Sequence, residues 1–322
     1  MIRIGFAYNL KDPSFKDSDE HAEYETEETI SAISRVLSEI GEVLLLPCDR
    51  NLPGKLLAER PDIVFNIAEG YGGRDRESYV PALCAMLDIP CSGSDAAALG
   101  ITMDKTLTKR LARDAGVRTA DFEVLDSIPD NPPTFGFPAF VKPLWDGSSR
   151  GIFRDAKVDD LSALARKTDE IIRMYGQPAL VEPYLDGRDF CVGLLGNDPP
   201  VTLRTCEVQL GHEDGIPFFS YEYKRRDTDR LDMSPSISSG IISEMEQSAR
   251  TVWNVIGCRD YSRFDFRTDS DGTPYLLEVN ALPGLSPVSG IFVRQALASG
   301  IGYEDLIKKI LERIQPSHGI LL

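Results

Sequence analysis

The sequence has few histidines and no paired cysteine motif. Its three histidines, His21, His212 and His318, are too scattered along the chain to suggest a zinc site. The six cysteines show no Cys-x-x-Cys spacing, and four of them lie in apolar segments, as is typical of reduced, buried thiols. We therefore expect no zinc and no disulfide, and a reducing compartment such as the cytoplasm.

The sequence also lacks an excess of positive charge and a long apolar run. There are 35 Lys and Arg against 51 Asp and Glu, for a formal net charge of −16, which disfavours nucleic acid as the main partner. No apolar run approaches the length of a membrane span, and the amino terminus shows no charged-then-apolar leader. We therefore expect a cytoplasmic protein whose partners are small molecules.

The chain divides into three segments by its pattern of elements. The first ninety or so residues alternate strand and helix, which predicts an open parallel α/β layer that ends near a Pro and Gly boundary at residue 93. The next segment contains a helix closed by Gly116 and a proline-rich loop. The last segment contains strands, a hairpin and an amphipathic terminal helix. The predicted domains are 1–93, 94–180 and 181–322.

Residues 263–280 predict a β-hairpin that presents oxygen ligands on one face. Asp271-Gly272 is a strong two-residue turn signal, because both turn positions must accept a positive φ. That turn pairs Asp265 with Glu278, and since side chains alternate along a strand, one face carries Arg263, Asp265, Glu278 and Asn280. The other face carries Phe264, Phe266, Leu277 and Val279. Two carboxylates and an amide oxygen suit Mg²⁺, although a charged, soluble hairpin edge has the same pattern.

The turn after the hairpin is a candidate oxyanion site. Gly284 could donate its backbone N–H to a developing oxyanion while Arg263 supplies positive charge. A Pro-Gly turn that only reverses the chain has the same sequence, so both interpretations stay open here.

A second candidate anion site is the loop Asp-Gly-Ser-Ser-Arg-Gly at residues 146–151. Its glycines allow backbone N–H groups to approach phosphates, and Ser148 and Ser149 add hydroxyl donors. A mobile turn has the same composition. A compact basic run with Lys224 at its centre, Tyr221-Glu-Tyr-Lys-Arg-Arg226, also favours an anion in this acidic chain.

Four other charged residues are ambiguous without further context. Glu182 and Asp189 lie on or beside predicted strands and could bind a base amine and a ribose hydroxyl, or they are ordinary surface carboxylates. Lys105 and Lys142 by themselves are typical of solvated lysines.

Taken in chain order, these segments resemble the ATP-grasp ligases, and among them the D-alanine:D-alanine ligases. The motifs are Met103-Asp-Lys105, Val141-Lys-Pro143, the 146–151 loop, Val181-Glu-Pro-Tyr-Leu185, Tyr223-Lys224, Arg263-Phe-Asp265, and Leu277-Glu-Val-Asn280 with Pro283-Gly284. The likeness extends from about residue 62 to residue 314. The ordered set is more specific than any single motif, because chance matches would rarely fall in the correct order.

The resemblance implies an α/β fold with α+β parts, in which a parallel domain precedes two antiparallel-sheet domains that enclose ATP. It implies that Lys105, Lys142 and Lys224 bind phosphates under a loop that contains Ser148 and Ser149. It further places the nucleotide's base near Glu182, Tyr184 and Leu185, its ribose near Asp189, and two Mg²⁺ ions at Asp265, Glu278 and Asn280. Catalytic roles fall to Arg263, Gly284, Ser148 and Lys224.

The resemblance also implies the reaction. ATP phosphorylates a carboxylate, an amine attacks the acylphosphate, and an amide forms with release of ADP and phosphate. A homodimer is implied as well. Two alternatives are a mycosporine-type ligase that attaches an amino acid to a specialised metabolite, and a regulatory protein that binds ATP without turnover.

The departures from the family pattern concern the substrates. Glu69 replaces a histidine and Arg74 replaces a glutamate, so we expect an altered first-substrate pocket, with Glu23 or Glu25 as stand-ins for the glutamate that binds the ammonium group. Ser289 matches an acceptor-binding serine. Its neighbour Gly290 replaces a common leucine, which predicts room for a larger acceptor. Four extra arginines suggest a substrate with an additional carboxylate: Arg74, Arg76, Arg150 and Arg225.

Overall fold

The computed structural model describes residues 1–15, 18–209, 218–221 and 230–314. The strands are β1 Arg3–Tyr8, β2 Glu42–Pro47, β3 Ile63–Asn66, β4 Glu123–Leu125, β5 Ala139–Pro143, β6 Lys157–Val158, β7 Ala179–Pro183, β8 Asp189–Leu195, β9 Val201–Thr202, β10 Cys206–Gln209, β11 Arg230–Asp232, β12 Tyr261–Thr268 and β13 Pro274–Asn280. The helices are α1 Glu27–Ser38, α2 Leu52–Glu59, α3 Tyr79–Met86, α4 Ala96–Met103, α5 Lys105–Asp114, α6 Leu161–Tyr175, α7 Ser239–Ile256, α8 Ile291–Ala298 and α9 Tyr303–Glu312. Short 3₁₀ turns occupy Pro13–Phe15 and Arg76–Ser78.

The amino-terminal sheet is parallel, with β1 between β2 and β3. Strand β3 is buried throughout, as expected for a parallel sheet covered on both faces. Helix α1 begins after Thr26, whose hydroxyl accepts the Thr29 N–H, and it buries Ile33 and Leu37. This is the open parallel α/β layer that the sequence predicts, and it places the loops after β1 and β3 at one edge.

The second sheet is antiparallel in the order β4-β7-β5-β6. Helix α6 covers it, and Leu164 and Ile171 share a small core with Val141. The sequence analysis did not predict α6, although Asp160 caps its first turn and Gly176 ends it in the left-handed conformation at φ 61°. This sheet contributes β5 and β7 to the site.

The third sheet runs β11-β10-β8-β12-β13, and β9 pairs with β8. Phe190 and Phe264 on its inner face pack with Met245 and Trp253 of α7, and Leu99 of α4 joins the same core. One parallel and two antiparallel sheets confirm the predicted fold class. The predicted domain limits at residues 93 and 180 stay a prediction.

None of the helices in the described ranges is long and apolar enough to cross a bilayer. All six cysteines are free thiols, and five of them are buried.

Candidate active site

A cavity of about 550 Å³ lies between the second and third sheets and the loops that follow β1 and β3. Its wall includes most of the site residues that the sequence predicts: Glu69, Lys105, Lys142, Ser148, Ser149, Glu182, Tyr184, Leu185, Asp189, Arg263, Asp265, Glu278, Asn280, Gly284, Ser289 and Gly290. Lys224, together with Arg225 and Arg226, lies outside the described residues. Arg74 is described but is absent from this wall.

The hairpin has the predicted register at the four residues that face the cavity. Arg263 pairs with Asn280 and Asp265 pairs with Glu278. The predicted two-residue turn is wrong, because strand pairing stops at Thr268 and Pro274 and leaves a five-residue loop. In that loop the Asp269 carboxylate accepts the N–H groups of residues 271 and 273, an arrangement that replaces the expected turn.

A β-bulge restores the register between the loop and the site. The pairing shifts by one residue after Asp265, so Phe266 faces Leu276 and Leu277 is the extra residue. Leu276 is therefore the side chain buried in the core, whereas Leu277 lies on the cavity wall with Glu278. The prediction that Leu277 packs on the apolar face is wrong for this reason.

The oxygen ligands on the hairpin converge as the sequence predicts. The Asp265 carboxylate accepts two hydrogen bonds from Arg263, at 2.7 and 2.8 Å, and one from the Asn280 NH₂ group at 3.0 Å. Glu278 lies 3.7 Å from the Lys105 ammonium. In the described chain, no group of three His, Cys, Asp or Glu side chains forms a metal cluster. The donor set is instead two carboxylates and one amide on a shared cavity wall, which fits Mg²⁺.

Lys105 and Lys142 are buried, which excludes the solvated interpretation. Each is 4% exposed. Lys105 donates to the Asp146 backbone oxygen, and Lys142 lies 2.8 Å from a Glu182 carboxylate oxygen. Both ammonium groups therefore lie at the cavity wall, where contacts with Asp146 and Glu182 fix their positions.

Glu182 is buried between two lysines and is not an ordinary surface carboxylate. Its second carboxylate oxygen pairs with Lys109, which is fully buried and also donates to Thr119 at 2.8 Å. Burial raises the pKa of Glu182, but the two ammonium groups outweigh it and lower the pKa to about 2. Sequence reasoning missed Lys109, although it lies four residues after Lys105 and so on the same face of α5.

One end of the cavity contains three aromatic rings and the Asp189 carboxylate, which Arg267 binds. The rings of Phe140 and Phe218 meet edge to face at 4.9 Å, and Tyr184 lies 6.5 Å from each. Arg267 donates to Asp189 at 2.6 Å and to the Leu185 carbonyl at 2.6 Å. Sequence reasoning missed Arg267, which fixes two of the predicted nucleotide residues at once.

The 146–151 loop, which we call the phosphate loop, has a strained backbone. Ser148 and Ser149 both adopt the left-handed conformation, with φ of 53° and 58°. Such a conformation is uncommon for residues with a side chain and is often found at functional loops. The loop brings both serines to the cavity wall, as predicted.

The turn after β13 brings Gly284, Ser289 and Gly290 to the cavity. The Ser289 hydroxyl donates to Ser286 at 3.1 Å. A Cβ atom at Gly290 would lie 2.7 Å from the Ser286 backbone oxygen, so the turn itself fills the space that a side chain would take. The expectation that Gly290 makes room for a larger acceptor is therefore wrong.

The three extra arginines within the described residues each approach a carboxylate of this chain. Arg74 has a 57% exposed side chain, lies over Trp145 and approaches Asp104 at 3.7 Å. It does not line the cavity, although Trp145 does, and its role at the first substrate stays a prediction. Arg76 is bound by Glu23, and Arg150 pairs with Asp146, so these two charges are already neutralised.

Glu69 lies on the cavity wall beside a residue that sequence reasoning missed, Glu77. Glu77 is 9% exposed and Glu69 is partly buried, and the negative charges of the two carboxylates repel each other. Burial, opposed by Arg76, raises the pKa of Glu77 to about 8, and burial together with Glu77 raises the pKa of Glu69. The pair therefore retains a proton at neutral pH.

This pair predicts a pH-dependent stability. The folded pKa of Glu77 is raised from 4.5 to about 8, so the folded state binds the proton more tightly than the unfolded state between these values. The free energy of unfolding should therefore fall as the pH rises through this window. Urea unfolding at about pH 5 and about pH 8 measures this slope, and Glu77→Gln should flatten it. An unchanged slope in the variant would show that Glu77 does not cause it.

Comparisons with known proteins give consistent results. Residues 111–312 match the family model described as the D-ala D-ala ligase C-terminus. The D-alanine–D-alanine ligase of Aquifex aeolicus is 32% identical over 88% of this chain and 93% of its own length. An uncharacterised protein, y4sG, of Sinorhizobium fredii is 34% identical over 86% of this chain and 82% of its own. A crystal structure of the Bacillus anthracis D-alanine–D-alanine ligase complexed with ATP covers 97% of both chains with a TM-score of 0.74, and at 22% identity this likeness concerns the fold.

Proposed function

Because the chain belongs to the D-alanine–D-alanine ligase family, we propose that it is an ATP-dependent ligase that joins a small carboxylate to the amine of an amino acid. The family predicted from the ordered motifs is thereby confirmed. The regulatory and mycosporine-type alternatives are not favoured.

One observation carries the proposal. The hairpin residues Asp265, Glu278 and Asn280 face the same cavity as the buried ammonium groups of Lys105 and Lys142. A cluster of oxygen ligands beside fixed cations is what phosphoryl transfer needs, because its transition state is stabilised mainly by position and charge. Binding of a nucleotide without turnover would not require both.

The cavity suits ATP along its length. The aromatic group of Phe140, Tyr184 and Phe218 provides apolar faces for the base. Asp189 lies where a ribose hydroxyl would be bound, while Lys105, Lys142 and the N–H and hydroxyl groups of the phosphate loop would neutralise the phosphates. Lys224 has the same proposed role from the sequence resemblance.

Asp265, Glu278 and Asn280 would hold the two Mg²⁺ ions of the family. When bound, Mg²⁺ supplies charge neutralisation at the transferring phosphoryl group. Arg263 holds the Asp265 carboxylate through two hydrogen bonds and so fixes its orientation. The phosphoryl group would pass to the carboxylate of the first substrate, which would bind near Glu69.

The amide then forms at the other side of the cavity. The amine of the second substrate, bound near Ser289, attacks the acyl carbon of the acylphosphate, and phosphate leaves as the C–O bond breaks. Arg263 and the Gly284 N–H stabilise the negative oxygen that develops on that carbon. Arg263 remains protonated throughout, since Asp265 raises its pKa against the opposing effect of burial.

We also propose a homodimer in the cytoplasm. The free cysteines suit a reducing compartment, and the dimer rests on the family resemblance.

A mass spectrum of the product tests the function. The protein is incubated with MgATP and defined mixtures of D- and L-amino acids, and we expect a new mass equal to two substrates minus water, with one ADP per product. Samples without ATP, or with ADP in its place, should give no such mass. ADP formation that never depends on added amino acids would contradict the proposal.

A further inference from the structure

Arg76 connects three separate segments at one corner of the cavity. It lies in the 3₁₀ turn after β3 and is 6% exposed. One of its terminal nitrogens donates to the Trp145 carbonyl at 3.1 Å. The other donates to both Glu23 carboxylate oxygens, at 2.8 and 2.6 Å, and lies 3.5 Å from Asp146. The planar fork of arginine allows these simultaneous contacts.

Glu23 extends this connection to the phosphate loop. Its carboxylate accepts the Gly147 N–H at 2.7 Å. Four residues earlier, Asp19 accepts the Gly151 N–H at 2.9 Å and the Tyr175 hydroxyl at 2.7 Å. The segment after β1 thus binds the phosphate loop at both ends, while Arg76 holds the residues that precede it.

The phosphate loop contains a glycine that permits this approach. A Cβ atom at Gly147 would lie 2.8 Å from a Glu23 carboxylate oxygen, closer than a real contact allows. Gly147 does not have a positive φ, so alanine can adopt its backbone conformation. Alanine at position 147 would therefore force the Glu23 carboxylate to shift away from the loop, while the local backbone could keep its conformation.

These contacts also show what Arg76 does not do. Two carboxylates and the carbonyls of Gly73 and Trp145 occupy its terminal nitrogens, so they are not available to a substrate carboxylate. Its charge offsets the cost of burying Glu23 and Asp146 beside each other. Arg76 is thus a positioning residue for the loop.

We propose that Glu23 and Arg76 form a latch that holds the phosphate loop closed over the cavity and so protects the acylphosphate from water. The inference rests on the proposed ligase function. In the closed loop, the acceptor amine attacks the acylphosphate. When the latch is broken, water attacks the same acyl carbon, the C–O bond to phosphate breaks, and the first substrate's carboxylate is restored. The net result is hydrolysis of ATP to ADP and phosphate without an amide.

Two substitutions test the latch from opposite sides. Gly147→Ala displaces Glu23 from the loop, and Arg76→Lys keeps the positive charge but loses the fork. In both we expect the ratio of ADP to amide to rise on the order of tenfold, because small displacements at a closing loop have large effects on reactivity. Thermal unfolding of each variant shows whether it is folded, and Gly147→Ala is informative even where Arg76→Lys is unstable.

Matched controls are available in the amino-terminal part. Gly54 in α2 has no positive φ and no atom within 4 Å of an added Cβ, and Arg50 is exposed. Gly54→Ala and Arg50→Lys should keep the parent ratio of about one ADP per amide, the stoichiometry of the proposed reaction.

The outcomes separate the latch from the ligase function. A folded Gly147→Ala variant whose ADP and amide production fall together, at the parent ratio, would overturn the latch. A parent protein that forms no amide from any substrate mixture would instead overturn the proposed function.

Discussion

Replacing Glu278 by glutamine is expected to lower turnover by about 10³-fold, the effect of losing roughly 4 kcal/mol of transition-state stabilisation. Glutamine keeps the shape of the side chain but removes the negative charge that attracts a divalent cation. Glu278 lies on the cavity wall with a 26% exposed side chain, and the buried Lys105 beside it keeps its hydrogen bond to the Asp146 carbonyl after the substitution. The fold should therefore remain intact.

The measurement is the turnover number at increasing Mg²⁺ concentration, together with thermal unfolding. Part of the lost turnover should return at high Mg²⁺, because a weakened site still binds at higher concentration. Glu304→Gln, at an exposed position in α9, is the matched control and should behave like the parent. Parent-like turnover in Glu278→Gln would remove Glu278 from the metal site.

Replacing Lys109 by methionine is expected to destabilise the folded state by about 3–5 kcal/mol, the usual cost of removing one partner from a buried ion pair. Methionine fills much of the same volume. However, it leaves Glu182, which is 3% exposed, with Lys142 as its remaining ammonium partner, and it removes the donor to Thr119.

Urea unfolding measures the loss, and a second substitution identifies its cause. Adding Glu182→Gln to Lys109→Met should cost less stability than Glu182→Gln costs alone, since both changes break the same buried contact. If Glu182→Gln lowers the free energy of unfolding as much in the Lys109→Met background as in the parent protein, the ion pair is not the cause of the loss.

The same ion pair has a defined pH dependence. The folded pKa of Glu182 is about 2, below the ordinary 4.5, so its contribution is present above about pH 4.5 and is lost as the pH falls toward 2. In Lys109→Met, the free energy of unfolding should fall less between about pH 4.5 and about pH 2 than it does in the parent protein.

The hairpin shows what sequence can predict and why. The alternation of side chains placed Arg263, Asp265, Glu278 and Asn280 on one face, and the structure confirms their pairing. The turn was mispredicted because the Asp269 side chain replaces the two-residue turn with its own hydrogen bonds. A bulge at Leu277 then compensated for the altered loop length, so the site residues paired as predicted despite the wrong turn.

The buried charges could not be predicted in the same way. Lys109, Arg76 and Arg267 each acquire their role from partners far along the chain, such as Glu182 and Asp189. Nothing in local composition distinguishes them from solvated residues such as Arg74. The ordered motifs identified the family, but the contacts among segments became visible only in the folded chain.

An isotope transfer tests the ligase mechanism most directly. The protein is incubated with MgATP and a pool of amino acids whose carboxylate oxygens are ¹⁸O, and the released phosphate is examined by mass spectrometry. An acylphosphate requires a carboxylate oxygen to leave with the phosphate, so we predict phosphate that carries one ¹⁸O atom. Unlabelled phosphate formed together with amide product would contradict the mechanism.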